Sequence, residues 1–266
     1  MAARSDGPDY ELDHVAIGVV DAAVAPSFLV GVLGGRRHDA GPGAGFRWWQ
    51  WRFAGGGVIE ILEPDGPPGG FLHRFLAARG PGVHHVTFKV PDLHAAARRA
   101  REHGFEVVGF SDAFPGWKEA FLHPRQAQGI VVQLAESEPG AEPPLGMPRE
   151  WPFPPEPPMT SQPVALVGLR LAAASAERAM HQWADLLGGK AEARAAEILF
   201  TWASSPLRIA VEVRADAPEG PLAIELRPRA GLMLPEGPHP TLGIRFGMQS
   251  LDPTSLPVGL RRGGKW

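Results

Sequence analysis

Four residues on apolar stretches of this chain have the types and spacing of a ligand set for one divalent metal. They are His14, Glu60, His85 and Gln133. They occur as two like pairs, an imidazole early and an oxygen donor late, because the stretch carrying them is written twice. Leu12-Asp13-His14-Val15-Ala16-Ile17-Gly18-Val19-Val20-Asp21 lies over Val83-His84-His85-Val86-Thr87-Phe88-Lys89-Val90-Pro91-Asp92 without a gap. Val58-Ile59-Glu60-Ile61-Leu62 then follows the first copy as Val131-Val132-Gln133-Leu134 follows the second. Two imidazoles with a carboxylate and an amide oxygen suit zinc, nickel, cobalt, manganese or iron, and leave positions open for a substrate. Taken singly, each residue reads better as a core histidine or as a polar side chain on a solvated face. Four of them repeating in register favour the metal. Glu60, flanked by Ile59 and Ile61, is costly to bury unless paired or metal-bound. Neighbouring residues on a strand face opposite ways, so only one of His84 and His85 can enter the site, and the repeat selects His85.

The elements that must hold these residues follow from period and punctuation. Residues 11–20 read as a buried strand, and Asp21 is placed to cap a helix over about 22–33 that stops at Gly34-Gly35. Phe46 to Phe53 is rich in strand-favouring aromatics, and Gly55-Gly56-Gly57 marks a turn before the strand at 58–62. The second copy repeats this order. A strand over 84–90 leads to Asp92 as cap, a helix over 93–103 has Leu93, Ala96, Ala97 and Ala100 on one side, and strands follow near 105–110, 117–122 and 130–135. A short helix is expected around 69–76. Residues 138–163 hold ten prolines and read as an extended strap that packs through Trp151 and Phe153.

The pattern then returns in weakened form. Residues 164–171, a helix over 174–187 and Gly188-Gly189 match the first copy, with Gly168 at the place of His14. Arg208–Val213 resembles the Glu60 strand. Residues 237–246 resemble the start of the second copy, with Pro240 at the ligand position, and little is expected beyond Arg261-Arg262. This gives an α+β chain of paired βαβββ modules in three parts. Residues 1–137 form a metal-binding domain (modules about 10–64 and 82–137), 138–162 a linker, and 163–266 a degenerate second domain.

Composition narrows the function classes. A formal charge of −3 and a pI near 6.4 give no basic footprint for nucleic acid or a membrane surface. No apolar run is long enough to span a bilayer, and the N-terminus lacks the apolar core of a signal peptide, so a cytoplasmic protein is expected. The absence of cysteine excludes thiolate ligands. A small-molecule substrate is expected, with the chain a monomer or homodimer.

These motifs resemble the vicinal oxygen chelate superfamily, which includes glyoxalases, methylmalonyl-CoA epimerases, bleomycin- and fosfomycin-resistance proteins and extradiol dioxygenases. The resemblance rests on Asp13–Ile17, Ile59–Pro64, Phe71-Leu72 through Arg79-Gly80, Gly82–Val86, Ala120–Pro124 and Gly129–Leu134, and is nearest to the epimerase-like branch. It covers residues 10–136 and implies two curled sheets around one metal held by His14, Glu60, His85 and Gln133. It further implies a metal-dependent lyase or isomerase that stabilises an enediolate from a small carbonyl or thioester substrate. Two departures bear on this. The epimerases have a catalytic glutamate just ahead of the strand beginning at Phe46, where this chain has Gly43-Ala44-Gly45. Their last ligand is usually Glu, whereas Gln133 can ligate but cannot accept a proton, which leaves Glu60 as ligand and base. Trp48, Trp49 and Trp51 offer an aromatic wall suited to a flat apolar ligand. Two alternatives follow: a non-catalytic binding or resistance protein, or an extradiol-type dioxygenase using His14, His85 and Glu60 on iron.

Overall fold

The repeat in the sequence becomes a pseudo-symmetric sheet. The computed structural model describes residues 7–114, 116–138, 151–194 and 197–249. Strands β1 (Glu11–Gly18), β2 (Arg36–Gly43), β3 (Phe46–Arg52) and β4 (Val58–Pro64) make one copy, and β5 (Gly82–Lys89), β6 (Val107–Ser111), β7 (Trp117–Leu122) and β8 (Val131–Ser137) the other. They assemble as β2-β3-β4-β1-β5-β8-β7-β6, so β1 and β5, the two histidine strands, meet antiparallel at the centre. Each has its own module's last strand as a parallel neighbour, β4 beside β1 and β8 beside β5. The ligand positions therefore lie on four adjacent strands, β4-β1-β5-β8. This is the α+β architecture of paired βαβββ modules.

Helix α1 (Pro26–Leu29), preceded by a 3₁₀ turn at Ala22–Val24, replaces the longer helix expected over 22–33. Asp21 does cap the turn, accepting from Ala23 N at 2.9 Å, but Pro26 lacks the N–H that would bond back to Ala22. The match is closer for α2 (Phe71–Arg79) and α3 (Leu93–Glu102). Asp92 caps α3 through Ala95 N at 2.9 Å, and the helix buries Leu93, Ala96, Ala97 and Ala100. Strand β2 has no clear signal in the sequence, being mostly exposed and polar.

The second half repeats the frame. Strands β9 (Leu166–Ala173), β10 (Lys190–Arg194), β11 (Glu197–Thr201), β12 (Arg208–Val213), β13 (Gly220–Leu226) and β14 (Arg245–Met248) order as β10-β11-β12-β9-β13-β14. Helix α4 (Ala176–Ala179) runs on as a π-helical turn at Met180–Leu186. The strand that meets β9 antiparallel, as β5 meets β1, is β13. Residues 237–246 instead lead into β14, the parallel neighbour of β13. The fourth copy thus begins at Gly220, which corrects the alignment that set Pro240 at a ligand position. Arg261 and Arg262 lie outside the described residues.

One apolar core joins the halves. The outer face of the first sheet, with Phe88, Trp49 and Trp51, belongs to the same buried cluster as Trp183, Trp202 and Leu169. Close backbone approaches help this docking. A Cβ on Gly243 (φ +65°) would lie 1.8 Å from Pro81 O, and one on Gly129 (φ +76°) 2.3 Å from Glu219 O. Among the described residues no helix is long and apolar enough to cross a membrane.

Candidate metal centre

On the concave face of the first sheet the pleat brings His14, Glu60 and His85 together. One ligand atom from each lies within 4.8 Å of the other two, and all three residues are buried. His14 Nε2 is 3.6 Å and His85 Nε2 3.7 Å from Glu60 Oε1. Gln133 joins them: Thr87 Oγ1 donates to Gln133 Oε1 at 2.6 Å and lies 2.9 Å from His14 Nε2. All four residues singled out from the sequence converge. The donors fit a divalent ion on two grounds besides their chemistry. Nε2 of His85 is buried without a hydrogen-bond partner, which is uncommon for a polar atom in a core. Each ligand is also held from behind, as metal ligands usually are.

Sequence reasoning missed those supporting residues. Asp13 Oδ2 accepts from His14 Nδ1 at 2.6 Å, which turns Nε2 inward. The two are adjacent in sequence, and they can touch because the β1–β5 pairing shifts register between Leu12 and His14. Gln50 on β3 faces Glu60 on the adjacent β4 and donates to Oε2 at 2.9 Å, leaving Oε1 toward the histidines. His84 Nδ1 lies 2.9 Å from His85 Nδ1. Glu119 Oε2 accepts from Gln133 Nε2 at 2.8 Å. The Asp-His doublet and the placement of Gln50 opposite Glu60 were legible signals; the diagonal contact from Glu119 was not.

Burial and charge divide the imidazoles. Burial opposes a charge on His14, but Glu60 and Asp13 outweigh it and raise the pKa to about 9. Burial pushes His85 well below the ordinary histidine value, aided by the positive potential of His84 and His14. Burial likewise lowers His84 to about 4, although Glu60 pulls the other way. His85 is therefore neutral, as a ligand must be, and an ion at His14 would displace a proton.

The rest of the bowl divides into two ends. Ala16, Leu62 and Leu72 with Phe46, Trp48, Phe75 and Leu76 form an apolar floor on one side of the ligands. On the other side a cleft of about 450 Å³ reaches Glu11, Asp13, Arg52 and Val58, and the second half walls it with Ser204 and Ser205. Of the three tryptophans expected to wall a pocket, Trp48 is on the side of Glu60. Trp49 and Trp51 lie on the opposite face of β3. Their indole N–H groups donate to Pro152 O at 2.9 Å and Glu156 Oε1 at 2.8 Å, beneath the proline-rich segment. Strand alternation forces this split.

Comparison with known proteins agrees with this fold. Residues 13–121 match the model of the glyoxalase/bleomycin resistance protein/dioxygenase superfamily. An uncharacterised protein of Bacillus subtilis, YqjC, is 30% identical over 137 residues, 47% of this chain and 91% of that one. Human mitochondrial methylmalonyl-CoA epimerase is 30% identical over 138 residues, 47% of this chain and 73% of that one. The crystal structure of a hypothetical protein from Staphylococcus aureus covers 91% of this chain and all of its own, with a TM-score of 0.60 and 9% identity, a likeness of fold alone. The chain belongs to the vicinal oxygen chelate superfamily, in its epimerase-like branch.

Proposed function

We propose that the chain is a divalent-metal-dependent enzyme of the glyoxalase or epimerase type. It would act on a small carbonyl or thioester compound by proton transfer beside the carbonyl, chemistry of the enediolate kind. The observation that carries this reading is the partnerless, buried Nε2 of His85 aimed at Glu60 and His14. His14, Glu60, His85 and Gln133 would hold the ion. When bound, it would supply Lewis-acid polarisation of the substrate oxygen. The protein's own part is to exclude water, orient the substrate against Trp48 and the apolar floor, and carry the proton. Glu60 is our candidate carrier, with Gln50 fixing one of its oxygens. The epimerase relatives act on coenzyme A thioesters by their names, which makes 2-substituted acyl thioesters the first substrates to test. Residues 163–266 are proposed as a degenerate second domain that completes the fold around the first.

Incubating the metal-loaded protein with acyl thioesters in deuterium oxide tests this. Metal-dependent exchange at the carbon beside the carbonyl, lost in Glu60→Gln, is the expected result. The apolar floor under Trp48 favours one second reading, a protein that sequesters an apolar ligand without turnover. No exchange with any thioester or thiohemiacetal, together with tight aromatic binding that quenches Trp48, would make it the better account. An iron dioxygenase fits less well, because Gln133 adds a fourth donor where oxygen and a catechol would bind.

A further inference from the structure

The metal-type bowl holds a second carboxylate that the ligand set does not use. Glu119 lies on β7 opposite Ala135, yet its side chain reaches diagonally to Gln133 on β8. Its Oε2 accepts from Gln133 Nε2 at 2.8 Å and from Trp117 Nε1 at 3.0 Å. Trp117 is itself pinned: Lys89 Nζ stands 4.0 Å from its ring centre and donates to Ser137 Oγ at 2.9 Å. Glu119 is therefore fixed from two sides.

An amide ligand has an ambiguity that a carboxylate lacks. Its two ends have nearly the same shape, but the oxygen binds a cation and the NH₂ group repels one. Something must decide which end faces the ion. An ionised carboxylate is acceptor-only, so Glu119 admits only the N–H end of Gln133. The amide oxygen is then turned toward Thr87 Oγ1, which itself lies 2.9 Å from the Nε2 of His14. We infer that Glu119 is a positioning residue that sets the polarity of the Gln133 ligand. Its charge stays one layer outside the donors, so Glu60 is the sole anion among His14, Glu60, His85 and Gln133. A divalent ion there keeps a net positive charge and a stronger pull on a substrate oxygen than two carboxylates would leave it. This inference rests on the metal reading above.

The test is titration of the full chain with Co²⁺ alone, followed by calorimetry and by the visible absorption of the bound ion. Glu119→Ala should weaken binding about tenfold or more and change the spectrum, the usual scale for losing a group that orients a ligand. Glu119→Gln keeps an accepting carbonyl, which the Trp117 Nε1 donor would hold toward Gln133, and should stay near wild type. Gln133→Glu sets two carboxylates against each other and should bind no more tightly than wild type. Adding Glu119→Gln to it restores a donor–acceptor pair and should recover about tenfold. Wild-type affinity and spectrum in Glu119→Ala would overturn the inference while leaving the metal site standing. So would equal affinities for Gln133→Glu with and without Glu119→Gln, and that pair decides the matter if Glu119→Ala does not fold. A wild-type protein that binds no Co²⁺ would overturn this inference and the metal reading together.

Discussion

Where the first sheet carries His14, Glu60, His85 and Gln133, the matching register positions of the second sheet carry Gly168, Ala210, Ala223 and Gly247. The apolar positions have changed in the opposite sense. Ala16, Leu62 and Trp48 of the first bowl correspond to Arg170, Glu212 and Glu197, and Thr87 corresponds to Glu225. The guanidinium of Arg170 reaches Glu225 at 2.6 Å, Glu197 at 2.5 Å and Glu212 at 3.0 Å, while Arg208 and Arg214 hold the outer oxygens of Glu225 and Glu212. Three arginines face three glutamates. Burial works against the charge on Arg170, but Glu225 and Glu197 outweigh it, so its proton is held more firmly than usual. One frame thus has two fillings. The first leaves converging lone pairs for an outside cation; the second supplies the cation covalently, and its acids are already neutralised. A pleated frame specifies where side chains point but not what they are.

The largest test of this contrast is loss of the ion. His14→Ala and His85→Ala should each abolish stoichiometric metal in elemental analysis after reconstitution, with circular dichroism unchanged. Retained metal in both variants would place the ion elsewhere. Next, Gly168→His should not copy the site into the second sheet. Gly168 has φ +150°, and a Cβ there would lie 1.9 Å from Arg208 O. We expect insolubility or a loss of about 3 kcal/mol or more in urea unfolding, with no second equivalent of metal. A stable protein with two ions would break the comparison.

Arg170→Met is expected to cost about 3 kcal/mol in the same assay, because it leaves the buried Glu225 to Arg208 alone. Metal binding by the first sheet should be unchanged. The smallest effect is in pH. Burial raises the pKa of Glu212, but Arg214 and Arg170 overcome this and hold it below the ordinary range. A depressed carboxylate stabilises the fold above its unfolded value, about 4.3, and that contribution disappears as pH falls through the folded value. Stability should therefore decline on acidification below about pH 4.5. Glu212→Gln should flatten the decline slightly in pH-dependent thermal melts, and an unchanged profile would remove Glu212 from the network.

Much of the site was legible because a strand repeated with its histidine in place transmits facing as well as type. That period of two carries His14, His85, Glu60 and Gln133 to one face on residue type and spacing alone. The same rule shows Trp48 and Trp49 to be on opposite faces, but which of them turns inward depends on the pairing of Gln50 with Glu60. Residues 237–246 misled because local likeness to a module start cannot report which strand pairs with β9, and pairing with β13 is a long-range choice.

The sequence by itself determined the modules, their order and the candidate ligand set, since these are written in residue type and period along the chain. Only the tertiary structure decided the supporting contacts of Thr87 and Glu119, the burial of Trp49 and Trp51 under Pro152 and Glu156, and the Arg170 network. Each depends on a diagonal or cross-sheet contact between residues far apart in sequence, or on a register shift. Twist, bulges and packing fix such contacts after the strands have formed.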